Sequence, residues 1–171
     1  MRGIADTTFW LARDAYRSAD YARCALLMRE CIDMNTRISD RQGLALAPCG
    51  LAAAQTRLGE AAVASVSVTS AVQSLRSLGD RNGLAWALQV LGEAHLAMGD
   101  ATAAAGALRE GATLAQSLGD TRRAALCHEG LACALLSDPA AASAHAGMAQ
   151  RLREQAHAPV LASEQAQHAQ L

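Results

Sequence analysis

The sequence predicts an all-α protein built as an α-solenoid of four antiparallel helix pairs. The first observation is that Ser-Leu-Gly-Asp occurs at 77–80 and again at 117–120, forty positions later. The second is that segments of about 17 residues between these marks carry apolar residues at helical spacing. The third is that an acidic residue recurs every twenty positions, with one further copy arriving two residues early: Asp20, Asp40, Glu60, Asp80, Asp100, Asp120 and Asp138. Self-similarity at a fixed period is the signature of a repeat architecture.

The glycine and acidic residues at the predicted helix boundaries have a chemical explanation. Gly79, Gly99 and Gly119 stand where helices are expected to end, because glycine adopts the left-handed conformation after a helix without steric cost. The acidic residue that follows can accept hydrogen bonds from the free N–H groups of the next helix. In the last copy, Asp138 is followed by Pro139, which suits the first position of a helix. Each of these boundaries is therefore expected to end one helix and begin the next.

This pattern sets the boundaries of the elements. We expect four repeats at 5–40, 41–80, 81–120 and 121–156, within a domain of 1–156. Residues 157–171 are expected to form a capping helix or a disordered tail. The predicted helices are 5–18, 21–38, 42–58, 61–78, 82–98, 101–118, 122–136 and 139–156.

Small residues recur in phase with the repeat, which indicates closely packed helices. Leucine followed by a small residue appears once in the first helix of each pair: Leu11-Ala12, Leu51-Ala52, Leu91-Gly92 and Leu131-Ala132. The second helices share another small position: Cys24, Ala64, Ala104 and Ala142.

Composition excludes several classes of function. The net charge is −1, which argues against direct nucleic-acid binding. No apolar run is long enough to span a bilayer, and no signal peptide is visible. Five cysteines without paired spacing fit reduced thiols, so we expect a cytoplasmic protein without membrane contact. Every basic side chain except histidine is arginine, which together with the abundant alanine is typical of a GC-rich bacterial genome.

In the third repeat the chain resembles the tetratricopeptide repeat (TPR) family. Leu91-Gly92 and Ala104 match the family's pattern, Gly111 matches a further small position, and His95 stands where the family has tyrosine. The period of 40 differs from the family's usual length of about 34, and the closing proline is replaced by Gly119-Asp120. Repeats of this length, with Leu-Gly-Asp punctuation, look like the helical sensor arrays of large bacterial transcriptional regulators. Residues 5–156 carry the resemblance, without a phosphate-binding loop or a helix-turn-helix.

The resemblance implies a right-handed superhelix whose first helices line a concave groove. In that register the residues facing the groove include Phe9, Arg13, Tyr16, Arg17, Arg57, Trp86, Gln89, Glu93 and Glu129. The arginines are expected at one end and the two glutamates at the other. Aromatic and arginine side chains dominate protein interfaces, so we expect a peptide or protein partner, with an acidic stretch at the arginine end. The alternative is that the charges are ordinary solvated residues and Trp86 packs between repeats.

The first helix raises a second hypothesis. Phe9 and Trp10 are large, and no earlier repeat precedes them in this sequence. Since terminal repeats normally present a polar face, the pair predicts a homo-oligomer contact or an upstream portion. The alternative is that both rings fold onto the second helix.

No catalytic, cofactor or metal site is predicted, and we expect no enzyme. Cys24 and Cys31 are interpreted as core residues. Cys127, His128 and Cys133 lack the spacing of a zinc site. Glu129 shares a helix face with Cys133 and would raise its pKa, which opposes nucleophilic use.

The remaining polar residues are interpreted as solvent-facing. These are the histidines His145, His157 and His168, and the basic stretches at 122–123 and 151–153.

Overall fold

The computed structural model describes residues 2–156, and the segment predicted as a cap or tail, 157–171, lies outside them, as do His157 and His168. The described chain forms eight α-helices, and no strand occurs within it, which confirms the predicted all-α class. The helices are α1 (Arg2–Arg17), α2 (Tyr21–Arg37), α3 (Arg41–Arg57), α4 (Ala61–Leu78), α5 (Arg81–Ala97), α6 (Ala101–Ser117), α7 (Thr121–Ala134) and α8 (Pro139–Ala156).

The helices form two layers. Each helix packs against the next one in sequence, from α1 against α2 to α7 against α8. The first helices of the pairs also contact one another directly, α1 with α3, α3 with α5 and α5 with α7. This is the arrangement of an α-solenoid, and it places one face of four helices side by side.

Acidic caps begin the helices as the sequence predicts. Asp100 Oδ1, for example, accepts a hydrogen bond of 2.9 Å from the backbone N–H of Ala103. The same bond is made by Asp20, Asp40, Asp80, Asp120 and Asp138. Glu60 differs, since its side chain makes no capping bond and accepts instead from Gln55 Nε2 at 3.0 Å. Aspartate is a favoured cap residue, and the extra methylene of glutamate carries its carboxylate past the helix end.

The helix ends also follow the predicted chemistry. Gly79, Gly99 and Gly119 have φ of 70°, 77° and 72°, the left-handed conformation expected after a helix. Ala19 and Ser39 hold the same conformation, with φ of 60° and 55°, although a side chain disfavours it. Two boundaries differ from prediction by more than one residue, because α1 already begins at Arg2 and α7 ends at Ala134.

The core is built from small side chains. The predicted small positions of the first helices, Ala12, Ala52, Gly92 and Ala132, are all buried. In the second helices Cys24, Ala64 and Ala104 are fully buried, whereas Ala142 in α8 is half-buried. The largest fully buried side chains include Met28, Leu75, Leu108 and Leu131, each surrounded by alanines of the neighbouring helices. In the part of the chain that the structure describes, no helix is apolar and long enough to cross a membrane.

Candidate functional site

An open cavity of about 270 Å³, called the groove below, lies on the side of the first helices. Seven of the nine residues predicted for the site line it: Arg13, Tyr16, Arg17, Arg57, Trp86, Gln89 and Glu93. Small-molecule pockets typically measure roughly 300–1,000 Å³, so this cavity lies just below the usual size of a small-molecule site. Phe9 and Glu129, the other two predicted residues, are not among its lining residues.

Helical spacing explains why the lining residues meet. Trp86, Gln89 and Glu93 follow one another at intervals of three and four along α5, so they share one helix face. Arg13 and Arg17 are four apart on α1 and share a face in the same way. Because the first helices lie side by side, these faces join into one surface.

The floor of the groove contains a buried chain of polar contacts. Arg57 donates from Nε to the Tyr16 hydroxyl oxygen at 3.2 Å and from Nη2 to Glu93 Oε2 at 3.4 Å. Burial alone would lower the pKa of Arg57, but Glu93 and Tyr16 together raise it. Burial and the charge of Glu93 raise the pKa of Tyr16. Arg57 therefore stays a guanidinium, and Tyr16 stays a neutral phenol, across the ordinary pH range.

The series of polar contacts continues to α7. Gln89 donates from Nε2 to Glu93 Oε1 at 2.7 Å and accepts from Arg123 Nη1 at 3.2 Å. Arg123 also donates from Nε to Asp120 Oδ2 at 3.0 Å. One continuous network thus links α1, α3, α5 and α7 across the floor.

Three charged groove residues were missed by the sequence reasoning: Asp120, Arg122 and Arg123. The two arginines were interpreted as part of a solvated helix face. Arg123 lies 34 positions after Gln89, and Glu93 lies 36 positions after Arg57, so both pairs bring together adjacent first helices. A search for pairs of oppositely charged or hydrogen-bonding side chains 34 to 36 positions apart would have found both contacts.

Aromatic rings border the basic part of the groove. The Arg13 guanidinium carbon lies 4.9 Å from the centroid of the Trp10 ring and 5.9 Å from that of Trp86. Phe9 meets Trp86 edge to face, with ring centroids 6.0 Å apart. Trp86 is half-buried and packs against the core as well. It therefore both packs between repeats and borders the groove.

The structure separates the two aromatic residues of α1. Phe9 is half-buried against Trp86 and the core of the first repeat, while Trp10 is 59% exposed. The alternative that both rings fold onto the second helix is therefore wrong for Trp10, and the predicted contact through the pair has only Trp10 as a largely exposed ring. Neighbouring residues on a helix point about 100° apart, so only one of them can face the core.

Glu129, predicted at an acidic end of the groove, has another role. Arg153 of α8 contacts it with two nitrogens, including Nη2 at 2.7 Å from Glu129 Oε2. Both side chains are largely buried, at 13% and 7% exposed. The interpretation of the 151–153 stretch as a solvated face is therefore wrong for Arg153. The pair fastens α8 to α7.

The charge of the groove is strongly basic. Its lining includes five arginines, Arg13, Arg17, Arg57, Arg122 and Arg123, and two carboxylates, Glu93 and Asp120. Burial lowers the pKa of Arg13, and the charges of Arg123 and Arg122 on the opposite wall lower it further. An anionic group in the groove would relieve this repulsion.

A histidine pair was also missed. The rings of His128 in α7 and His145 in α8 are stacked, with centroids 5.1 Å apart and their Nδ1 atoms at 2.9 Å. Gln116 Nε2 lies 3.1 Å from His128 Nε2. His145 is half-buried by this contact, so its interpretation as an isolated solvent-facing residue is wrong.

The thiols are structural. Cys24, Cys49 and Cys127 are fully buried, and burial raises the pKa of each to about 12. Burial, and then the charge of Glu129, raise the pKa of Cys133, the direction opposite to that of a nucleophile. Within residues 2–156, no three His, Cys, Asp or Glu side chains are arranged to hold a metal ion.

Comparison of the sequence with models of known protein families found no match, and comparison with curated proteins found none.

Proposed function

We propose that the protein is an interaction module whose groove binds an acidic segment of a peptide or protein partner. One observation carries the proposal: five arginines and the Tyr16 and Trp86 rings converge on one open cavity that has only two carboxylates in its lining. Arginine and aromatic side chains carry much of the energy of protein interfaces. Guanidinium groups bind carboxylates in two-pronged hydrogen bonds.

The arginines divide into two kinds. Arg57 and Arg123 are held by partners within the floor network, so they supply charge and fix the shape of the surface. Arg13 and Arg17 stand on the wall formed by α1, where Arg17 is exposed and Arg13 is supported by tryptophan rings. The α1 pair is therefore the part of the groove that meets the ligand directly.

The proposal extends to the biological setting. Resemblance to the helical sensor arrays of bacterial regulators supports a role as a scaffold or as the ligand-sensing segment of a transcriptional regulator. The five free cysteines, four of them buried, support a cytoplasmic location. The groove is proposed to bind its partner without covalent chemistry, since burial raises the pKa of Cys24, the cysteine in its lining, and so keeps this thiol protonated.

The experiment is a selection from a random displayed-peptide library with the full chain as bait. We expect enrichment of peptides rich in Asp and Glu. The double variant Arg13→Glu/Arg17→Glu should weaken binding of the selected peptides at least about tenfold, or about 1.4 kcal/mol. Arg57 is left unchanged, because its removal would disturb the floor network.

The matched control is Arg29→Glu/Arg109→Glu, which makes the same change of charge at exposed positions on α2 and α6. It should leave binding nearly unchanged. Selection of peptides without an acidic bias would overturn the proposal. Equal weakening in the two double variants would reduce the effect to net charge and overturn it as well.

A further inference from the structure

The start of the solenoid exposes a helix face that every later repeat buries. Trp10 of α1 is 59% exposed, whereas the residues at the same repeat position, Gly50, Val90 and Gly130, are buried. Leu11 is 49% exposed, whereas at the same position of the later repeats Leu51 and Leu91 are half-buried and Leu131 is 1% exposed. We call the α1 surface containing Gly3, Thr7, Trp10, Leu11 and Asp14 the leading face.

Inside the solenoid, the second helix of the preceding pair covers this face. A Cβ built on Gly50 would lie 2.3 Å from Met28 Cε, and one built on Gly130 would lie 2.8 Å from Leu108 Cδ1. Gly43 is covered in the same way by Asn35, with 2.4 Å to its Nδ2. On the leading face, a Cβ built on Gly3 would meet no described atom within 4 Å. The leading face therefore has the shape of a repeat junction without its partner helix.

The junctions share one register. Between α2 and α3, Asn35 faces Gly43 and Met28 faces Gly50. The two helices are antiparallel, so a residue seven positions earlier on α2 faces a residue seven positions later on α3. In the third junction Gly111 faces Cys127 and Leu108 faces Gly130, which follows the same rule. This register predicts which residues of a covering helix would meet each position of the leading face.

The last helix of the described residues, α8, presents a complementary surface. Ala146 stands eight residues after its cap Asp138, the place that Met28 holds after Asp20 and Leu108 holds after Asp100. It is exposed. Two internal junctions place a large side chain of the second helix over a glycine, Met28 over Gly50 and Leu108 over Gly130, and in the junction between them the same register sets the buried Val68 opposite Val90. Here the sizes are exchanged, because α8 offers the small Ala146 and the leading face offers the large Trp10.

Charge agrees with the same register. When Ala146 lies against Trp10, the exposed carboxylate of Glu154 reaches the position of Arg2, at the other end of the contact. The Arg2 side chain is 71% exposed and contacts Asp40 at 3.2 Å, so it can reach a second carboxylate. Opposite charges at the end of a small interface favour one register over its neighbours.

We propose that the leading face of one copy packs against α8 of a second copy, with Trp10 on Ala146 and Arg2 beside Glu154. The contact continues the stacking of helix pairs from one chain into the next. It joins two different surfaces, so it is heterologous and can add chains without stopping at a dimer. Since α8 contributes mainly small and polar side chains, the contact belongs to the weak class of interfaces.

The experiment is sedimentation of the full chain from about 1 µM to about 1 mM, a range that covers weak association. The weight-average mass should rise continuously past that of a dimer. Trp10→Glu and, separately, Ala146→Glu should each give a monomer, because each removes one of the two surfaces. Both residues are exposed, and circular dichroism should show unchanged helix content.

Mixing the two variants distinguishes the modes of assembly. Each variant keeps one intact surface, so an equimolar mixture should form a dimer and stop there. The matched control is Leu26→Glu, at an apolar residue of α2 that is 56% exposed and whose counterpart Val66 is also exposed. It should associate like the unaltered chain.

Three outcomes would overturn the proposal. A monomer at every concentration would mean that something other than a second copy covers the leading face. Loss of association with Trp10→Glu but not with Ala146→Glu would indicate symmetric pairing of α1 helices. Failure of the mixed variants to form a dimer would exclude the proposed pairing of surfaces.

Discussion

Arg57 Nη2 lies 3.4 Å from Glu93 Oε2, which joins α3 to α5 beneath the groove, with only 18% and 8% of the two side chains exposed. The sequence predicted these charges at opposite ends of the groove. Arg57 and Glu93 are 36 positions apart, four fewer than the 40-residue period, and this spacing makes them neighbours on adjacent first helices. Their opposite charges therefore neutralise each other. The basic character of the groove therefore depends on Arg13, Arg17 and Arg122 as well as on the residues of the network.

Replacing Arg57 with methionine should destabilise the fold. The substitution would leave the buried Glu93 carboxylate without its cation and should cost about 3 kcal/mol, as expected for breaking a buried ion pair. The free energy of unfolding would be measured by urea titration followed by circular dichroism. The double variant Arg57→Met/Glu93→Met should recover most of the loss, because it removes both charges. A single variant within about 0.5 kcal/mol of the unaltered chain would contradict this account of the floor.

Gly92 should tolerate no side chain. A Cβ there would lie 2.3 Å from Leu108 Cγ, a branched atom that cannot move aside cheaply, so Gly92→Ala should cost about 1–3 kcal/mol through overpacking. Gly106 is the matched control, since a Cβ there would meet no described atom within 4 Å. Gly106→Ala should stabilise α6 by about 0.5–1 kcal/mol, because alanine is the better helix former. Thermal unfolding of the two variants checks both signs, and equal shifts would show that close helix packing does not explain Gly92.

The histidine pair should make the attachment of α8 sensitive to acid. Burial, and then the neighbouring His145, lower the pKa of His128 below its ordinary value of about 6.5. The unfolded chain therefore binds the proton more readily than the folded chain, and stability should fall as the pH drops below about 6.5. Urea titrations between about pH 7 and pH 5.5 would measure the slope, and His128→Gln should reduce it. The same slope in both proteins would assign the acid sensitivity to other groups.

Much of the fold was predictable because its signals are local. Asp100 and Asp120 cap their helices with side chains that reach only three residues along the chain, so the sequence contains the whole interaction. Gly79 and Gly99 adopt the left-handed conformation for equally local reasons. Glu60 departs from the pattern because one additional methylene changes what the carboxylate reaches.

The site was predictable only in part. The register implied by the family resemblance identified seven of the residues that line the groove, including Arg13 and Trp86. It did not identify Arg123, whose partner Gln89 lies on another helix, or the fastening of Glu129 by Arg153. These contacts depend on how far one helix is shifted along the next, and that shift is set by packing.

The sequence by itself determined that the chain is a stack of helix pairs, where most of the helices start and end to within one residue, and most of the small residues that lie in the core. These features follow from periodicity and from contacts within a few residues. Only the tertiary structure decided which charges are neutralised within the floor, which of Phe9 and Trp10 is buried, and that His128 meets His145. The reason is physical: burial and pairing are properties of two surfaces brought together, and each helix carries the pattern of only one of them.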